Sequence, residues 1–300
     1  MKLYQRLNNL RKIVQTLTIV FLVVVPILNY FNIYWIIGTL YSISIGGLDI
    51  TDPAMALQSL LLTKEIYVPL LLTIILPVTL ALILGRVFCS WMCPYNTISD
   101  WINTLLKKTF SKRWKKVHYR SIEKNPSPWI NWEIFAGLVI LMLVIDFSLF
   151  GFLSPPGIIS SVTVQVVLGI GMGLEIGIVL LILLIETILL KRFWCNYVCP
   201  VGAVLSLFRV NRTLQVVHSK VECSCNSGAE PCRYTCPFDL SPKKLHLYPS
   251  CHNCGICIAT CEKVGSGALS FRFGKHKTAI GKINLIENQK VNISLDNILK

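Results

Sequence analysis

The sequence predicts an α-helical membrane protein with four transmembrane helices, formed by two parallel two-helix repeats, and a small α+β two-cluster ferredoxin domain. Three observations support this. The 300 residues are 53% hydrophobic, with a mean hydropathy of +0.60. A short cysteine motif occurs twice, each time after an apolar stretch, and eight more cysteines lie in the last third of the chain. We therefore predict a membrane domain over residues 1–212 and a ferredoxin domain and tail over residues 213–300.

Four apolar stretches are long enough to cross a bilayer, whose hydrocarbon core of about 30 Å takes roughly 20 apolar residues. They cover residues 13–38, 66–87, 130–150 and 167–190. The first has the basic start of a signal peptide, but its apolar run is too long and no small-residue cleavage site follows it. We therefore expect the first stretch to be retained as a membrane helix.

The distribution of Lys and Arg predicts the orientation, because cytoplasmic loops carry an excess of both. Four of them precede the first predicted span, and nine lie from the end of the second span, at Arg86, to the start of the third, whereas the first outer loop has only Lys64 and the second has none. Both termini and the ferredoxin domain are therefore predicted to be cytoplasmic, at a bacterial inner membrane. The net charge of +14 then indicates anchoring to an anionic leaflet rather than binding to nucleic acid, since the basic residues lie at span ends.

The repeated motif is Cys-x3-Cys-Pro, at Cys89 and Cys93 after the second span and at Cys195 and Cys199 after the fourth. Each half has an even number of spans, so the halves run parallel and both motifs lie on the cytoplasmic face. Packing about a pseudo-twofold axis would bring all four sulfurs together. Three roles stay open at this point: a third metal centre, a redox-active dithiol pair, or a structural clamp.

The remaining cysteines form two runs with the character of a bacterial ferredoxin. The second run, which starts at Cys251, has the spacing Cys-x2-Cys-x2-Cys-x3-Cys, in which three thiolates hold one 4Fe-4S cluster and the fourth cysteine reaches the other cluster. The first run, which starts at Cys223, departs from this spacing between its first three cysteines. The predicted ligands are Cys223, Cys225, Cys232 and Cys261 for cluster 1, and Cys236, Cys251, Cys254 and Cys257 for cluster 2.

Other uses of these cysteines are less consistent with the sequence. A disulfide framework would not suit a reducing cytoplasm, and structural zinc does not need the spacing of the second run. None of the five histidines lies in a predicted span, and no Cys-x2-Cys-His occurs, so the sequence offers no site for haem b or haem c. Electron transfer through iron-sulfur centres is therefore the predicted chemistry.

Two segments outside the spans are predicted to be surface helices. Residues 50–61 read as a short interfacial helix with Thr51 or Asp52 as its N-cap and Pro53 in its first turn, with apolar residues that could lie on the outer leaflet. A structural anchor is its default role, and passage of a lipid-soluble substrate beneath it is the alternative. Apolar residues recur at helical spacing over residues 98–106 and are followed by lysines. This second segment is predicted to be an amphipathic helix on the inner surface.

The fourth predicted span carries two further features. Gly169, Gly173 and Gly177 fall four residues apart, a stripe that would let another helix approach closely. Glu175 and Glu186 are eleven residues apart, which places them on one helix face, about 20° from eclipsed and roughly 16 Å apart. Carboxylates in lipid are candidates for function, here as a relay for protons released by quinol oxidation. The alternative for Glu186 is an ion pair with the basic residues that follow the span.

Four blocks of this sequence together resemble the NapH family of membrane ferredoxins, with MauN and related proteins nearby. They are residues 51–60, residues 88–94, residues 194–203 and the C-terminal ferredoxin cysteines. The resemblance implies a four-span quinol dehydrogenase subunit with its clusters in the cytoplasm. It also implies that the electrons pass to a NapG-like iron-sulfur protein and on toward a periplasmic reductase.

Two rival functions come from other classes. An assembly or maturation factor for a metalloenzyme would use the reducing equivalents or the Cys-x3-Cys-Pro thiols to load metal, and it would need no quinol site. A membrane redox sensor would need an output module, and the sequence shows none.

Overall fold

The computed structural model describes residues 3–109, 129–169, 173–189, 192–208, 213–219, 231–238, 240–242, 250–264 and 267–273. Two of the predicted cluster 1 ligands, Cys223 and Cys225, lie outside these residues. Within them the fold is mainly helical, with two small antiparallel sheets.

The first half begins with the long helix α1 (Leu3–Tyr30) and ends with the helix that follows the first cysteine motif. Between them, three short strands form an antiparallel sheet in the order β1-β2-β3. The elements are β1 (Ile36–Gly38), β2 (Ser42–Ile45), β3 (Leu48–Thr51), α2 (Pro53–Thr63), α3 (Val68–Thr73), α4 (Ile75–Leu84), α5 (Val87–Trp91) and α6 (Pro94–Thr109).

The second half repeats this order without the sheet, and the ferredoxin region follows it. The second half consists of α7 (Trp129–Ile145), α8 (Leu149–Leu153), α9 (Pro155–Leu168), α10 (Leu174–Leu189), a π-helical turn (Trp194–Val198) and α11 (Pro200–Leu207). The ferredoxin region contains β4 (Gln215–His218), α12 (Pro231–Tyr234), α13 (Ile256–Val264) and β5 (Leu269–Arg272). Strands β4 and β5 pair antiparallel.

The internal repeat extends beyond the cysteine motifs. Each half has a helix that starts with proline, α2 at Pro53 and α9 at Pro155, placed before the apolar helix that leads to the motif. Each motif is in turn followed by a helix that starts with proline, at Pro94 and Pro200. Proline suits the first helical position because that residue's N–H has no partner within the helix.

The N-cap prediction for α2 is confirmed, but its predicted surface position is wrong. The Asp52 side chain accepts a hydrogen bond of 2.9 Å from the Ala54 backbone N–H. However, Ala54, Ala56 and Gln58 are buried, and α2 packs against α11 rather than lying on the surface. Small alanine side chains allow this close approach. An apolar short helix reads the same in sequence whether lipid or protein covers it, so composition could not separate the two.

The predicted glycine stripe is also wrong. Gly169 ends helix α9 in the left-handed conformation, with φ of 69°, and the next helix begins at Leu174. Gly177 lies in α10, but a Cβ added there would meet no atom within 4 Å. The spacing therefore reflects a helix terminus and an open helix surface, not a contact between two helices.

Four transmembrane helices are not confirmed. In the described part of the chain, one helix, Arg6–Tyr30, is long and apolar enough to cross a membrane. The second predicted span corresponds to residues 68–84. The third corresponds to α7, which has 17 residues, and the fourth to α10, which has 16. At 1.5 Å per residue they are about 25 Å long, shorter than a bilayer core of about 30 Å. The fourth is short because Gly169 ends the preceding helix where the prediction had a continuous span.

Candidate metal centres

The four thiols predicted to hold cluster 2 line one cleft. Cys257 interacts electrostatically with Cys254, Cys236 and Cys251. Burial raises the pKa of the Cys236 thiol to about 12 and raises the pKa of Cys254 and Cys257 as well. Four thiols in an apolar cleft match the donor set of a 4Fe-4S cluster, which takes them as thiolates.

A sharp loop brings three of these thiols together. Asn253 and Gly255 have left-handed backbone, with φ of 50° and 74°, between Cys251 and the start of α13. This allows the chain to turn before Cys257 enters the first turn of the helix. A Cβ at Gly255 would lie 3.3 Å from the Phe271 ring, so a larger residue would press on strand β5.

Two of the four predicted ligands of cluster 1 lie in the described residues, and the structure brings them together. Cys232 on α12 and Cys261 on α13 are both buried in a small core with Ile258 and Leu269. Cys257 interacts electrostatically with Cys232, so the two predicted cluster sites are neighbours. This arrangement matches the crossed ligand pattern of two-cluster ferredoxins.

In the described part of the chain, no group of three or more His, Cys, Asp or Glu side chains is arranged to hold a single metal ion. Structural zinc requires four ligands around one ion at about 2.0–2.3 Å. A 4Fe-4S cluster instead binds each cysteine to a separate iron, which spreads the thiols further apart.

The four cysteines of the two Cys-x3-Cys-Pro motifs also share one site. Cys93 interacts electrostatically with Cys89 and Cys199, and Cys195 interacts with Cys199 and Cys93. Cys93 and Cys199 are buried, and Cys89 and Cys195 are half-buried. Burial raises the pKa of all four thiols, that of Cys199 to about 12. The structure thus brings the four sulfurs together at the contact between the two halves.

The two motifs share one backbone hydrogen-bond pattern at their second cysteine. The N–H of Cys93 donates to the Phe88 carbonyl at 3.1 Å, and the N–H of Cys199 donates to the Trp194 carbonyl at 2.9 Å, each reaching back five residues. Such wide turns are often found at functional sites. Because proline follows each second cysteine, a new helix starts directly after the wide turn.

A network of charges lies beside the second motif. Arg192 donates hydrogen bonds to Asn96 and Asp100, and Arg11 lies 3.4 Å from Asp100. Burial alone would raise the pKa of Asp100, but Arg192 and Arg11 hold it below its ordinary value. Sequence reasoning missed this network because the partners lie 89 and 92 positions apart along the chain.

The Glu186 carboxylate links the two motifs by hydrogen bonds, and Glu175 lies far from it on the same helix. The Oε2 of Glu186 accepts a hydrogen bond of 2.8 Å from the Tyr95 hydroxyl, and its Oε1 accepts one of 2.9 Å from the Trp194 backbone N–H. Glu175 lies at the start of the same helix, and its Oε2 is buried without a hydrogen-bond partner. Roughly 16 Å of helix separates the two carboxylates, so a direct proton transfer between them is excluded.

The ferredoxin loop lies against the first motif through residues that the sequence did not single out. Ser90 donates a hydrogen bond to the His252 carbonyl at 2.8 Å, and the Asn253 amide donates to the Leu84 and Leu214 carbonyls at 2.8 and 2.7 Å. These hydrogen bonds join residues up to 169 positions apart.

An aromatic contact adds to the same junction. The rings of Phe238 and His252 lie 4.0 Å apart, and the Arg192 guanidinium lies 5.8 Å from the Phe238 ring. The ferredoxin loops on both sides of the cleft therefore contact the part of the chain that carries the two motifs.

Comparison with known proteins gives matches to both halves of this region. A family model described as "4Fe-4S binding domain" matches residues 66–113 and 172–216, and each match contains one Cys-x3-Cys-Pro motif. The two matches support the internal repeat. No solved structure matches the chain.

Among curated proteins, the chain is similar to the ferredoxin-type protein MauN of Paracoccus denitrificans, with 28% identity over 207 residues, 68% of each chain. It is similar to the ferredoxin-type protein NapH of Escherichia coli, with 28% identity over 76% of this chain and 78% of that one. The putative electron transport protein YccM of Escherichia coli is 25% identical over 79% of this chain and 66% of its own length. The resemblance predicted from the motifs is thereby confirmed: over most of its length the chain is similar to the NapH and MauN ferredoxin-type proteins, and it is an iron-sulfur electron-transfer protein.

Proposed function

We propose that the chain is a membrane-bound subunit that oxidises quinol together with a partner and passes the electrons through two 4Fe-4S clusters toward a periplasmic reductase. The observation that carries this proposal is the cleft lined by Cys236, Cys251, Cys254 and Cys257. The partner, a NapG-like iron-sulfur protein, and quinol as the reductant are what the resemblance to the NapH family implies.

The residues of the chain hold and shield the clusters. Cysteine thiolates are the ligands, and the clusters supply one-electron transfer when bound. Apolar side chains line the cleft of cluster 2 and shield the thiols from water: Val216, Phe238, Leu240 and Pro242. The core formed by Ile258 and Leu269 does the same for Cys232 and Cys261.

Exposed apolar side chains support a position in the membrane. Val20, Leu72, Val144 and Ile188 lie on the four predicted spans and are between 51% and 77% exposed. Apolar surface on this scale is unfavourable in water and suits lipid. On α6, Trp101 and Leu105 are also exposed, which supports contact of that helix with the inner leaflet.

The proposed topology can be tested with reporters. The turn of residues 46–47 between β2 and β3 is exposed and is expected on the outer side, whereas Lys300 is expected in the cytoplasm. A reporter inserted in that turn should be active only outside, and a fusion after Lys300 only in the cytoplasm. Activity of the Lys300 fusion outside would contradict the orientation.

We further propose that the four-thiol site of the two motifs is a third iron-sulfur centre. The matches to a 4Fe-4S binding domain, each of which includes one motif, support this over a dithiol pair or a clamp. Redox-active dithiols generally have a low pKa and are partly exposed, whereas burial raises the pKa of Cys93 and Cys199.

Metal analysis tests both parts of the proposal. Two clusters require about eight iron and eight labile sulfide per chain, and three require about twelve of each. Cys254→Ser should remove the iron of cluster 2, and Cys195→Ser should remove only the iron of the third centre. An iron content near four in the parent protein, or zinc in its place, would overturn the two-cluster proposal.

A second candidate function is a maturation factor for a metalloenzyme. The similarity to MauN, which is named for methylamine utilization, and the buried four-thiol site favour this candidate. A maturation factor needs no quinol. Reduction of the clusters by quinol in liposomes would support the electron-transfer subunit, and its absence in iron-loaded protein would support the maturation factor.

A further inference from the structure

Each cysteine motif is preceded by an arginine that reaches the other half. Arg86 lies three residues before Cys89, and Arg192 lies three residues before Cys195. Arg192 donates to Asn96, the third residue after Cys93. Arg86 lies against the corresponding residue of the second half, Gly202, where an added Cβ would overlap its guanidinium. The two arginines therefore cross between the halves about a pseudo-twofold axis.

The two halves differ in the residues that these arginines meet, because only Arg192 has an acidic partner at the corresponding positions. Arg192 pairs with Asp100, the seventh residue after Cys93. The seventh residue after Cys199 is Ser206, which carries no charge, and the place of Asn96 is taken by Gly202. The second half thus has room for the Arg86 guanidinium where the first half has polar and acidic partners for Arg192.

Arg86 contacts both motifs from the interior of the protein. It is fully buried, with an exposed fraction of 0%. Its guanidinium hydrogen-bonds to the Cys89 thiol, and its Nη2 donates to the Cys195 carbonyl at 3.4 Å. It also interacts electrostatically with Cys199.

In the described part of the chain, the acidic groups that interact electrostatically with these thiols are Asp52 and Glu186. Asp52 interacts electrostatically with Cys89 and Cys199, and Glu186 interacts with Cys195. Glu186 is already hydrogen-bonded to Tyr95 and Trp194. Four thiolates beside these carboxylates would place a large negative charge in the interior, which is costly without a paired cation.

We propose that Arg86 is a charge-compensating and positioning residue of the four-thiol site, and that Gly202 is a glycine because it makes room for this guanidinium. The proposal rests on the proposed third iron-sulfur centre. A buried positive charge beside the site favours its more negative, reduced form. Arg86 should therefore raise the reduction potential of the site, since charge and hydrogen bonds at the sulfurs help to set that potential.

The first test compares Arg86→Gln with Arg86→Lys in the purified, iron-loaded chain. The readouts are iron content and the midpoint potential of the additional centre, followed by electron paramagnetic resonance. We expect Arg86→Gln to lower the potential by about 60 mV, which is a tenfold change for one electron, and Arg86→Lys to keep most of the parent value. Arg272→Gln, which removes an exposed charge from β5, is the control and should have no effect. Equal potentials or equal iron loss in the Gln and Lys variants would overturn the charge role.

The second test measures the contact of Arg86 with Gly202 without using the metal. Gly202→Ala should lower the thermal unfolding temperature in the parent, and its effect should be much smaller in an Arg86→Ala background. Gly137→Ala is the matched control, because an added Cβ at Gly137 meets nothing within 4 Å. Additive effects of the two substitutions would overturn the contact. Absence of iron from the four-thiol site of the parent protein would instead defeat the proposed third centre, and this cycle would still report on the contact.

Discussion

The Ser90 hydroxyl donates a hydrogen bond of 2.8 Å to the His252 carbonyl, across 162 positions of sequence. Ser90 lies between the two cysteines of the first Cys-x3-Cys-Pro motif, and His252 lies between Cys251 and Cys254 of the ferredoxin run. This hydrogen bond therefore links a side chain of the first motif to the backbone of the loop that carries Cys251 and Cys254.

Ser90→Ala should weaken this junction without loss of iron, because no cysteine is changed. Removing the hydroxyl leaves a buried carbonyl without this partner, which costs about 1–3 kcal/mol. We expect faster hydrogen exchange in residues 250–256 and an unchanged iron content. Thr18→Ala is the control, since its buried hydroxyl bonds only to Val14 within its own helix. Equal exchange in parent and Ser90→Ala would show that other contacts hold the loop.

Asp100→Asn should destabilise the protein, because it removes the charge that pairs with Arg192 and Arg11. Breaking a largely buried pair on one side costs about 3 kcal/mol. The pKa of Asp100 is lowered in the folded state, so its contribution is present above its unfolded pKa of about 3.9 and is lost as pH falls through the folded value. Thermal unfolding in detergent from pH 3 to 8 measures this. Asp49→Asn, at an exposed position, is the control, and an equal effect of both would refute the assignment.

Asp52→Asn should have the opposite pH dependence. Burial raises the pKa of Asp52 to about 6, although the Ala54 N–H partly opposes this. A raised carboxyl pKa means that protonation favours the folded state, so stability falls as pH rises from about 4 to 6. Asn keeps the N-cap and cannot ionise. We expect equal unfolding temperatures near pH 4 and a variant more stable by at most about 3 kcal/mol above pH 7. A variant less stable than the parent at pH 8 would contradict this.

Glu186→Gln distinguishes a proton relay from a structural role, in which the Glu186 carboxylate holds Tyr95 and Trp194 by hydrogen bonds. A relay predicts quinol-driven cluster reduction slower by about 10²-fold or more per folded molecule, at normal iron content. A structural role predicts a lower protein yield, with a rate of quinol-driven cluster reduction per folded molecule within a factor of about two of the parent. Because Tyr95 and Trp194 occupy both carboxylate oxygens, we expect the second outcome. Tyr95→Phe should then reproduce the lower yield, and a slow rate at full yield would support the relay.

Local patterns in the sequence were sufficient to predict several features of the structure. Asp52 followed by Pro53 predicted the start of α2, and the spacing of the second cysteine run predicted that Cys236 would join Cys251, Cys254 and Cys257 in one site. These inferences work because capping and ferredoxin spacing depend on residues close together along the chain or on a known ligand rule. The same applies to the repeat, which was visible from two copies of one motif.

The tertiary structure decided what covers each surface and which distant residues pair. The sequence could not show that α2 packs in the core, because an apolar side chain gains similarly from burial in lipid or in protein. Nor could it show that Arg86 meets Gly202 and Arg192 meets Asp100, since hydrophobic periodicity reports only which face of a helix is covered. Residues that are neighbours in the sequence determine where helices start and how the thiols are spaced. The partners of its buried charges are chosen only when the two halves pack, because each charge then takes the nearest group that offsets its loss of water.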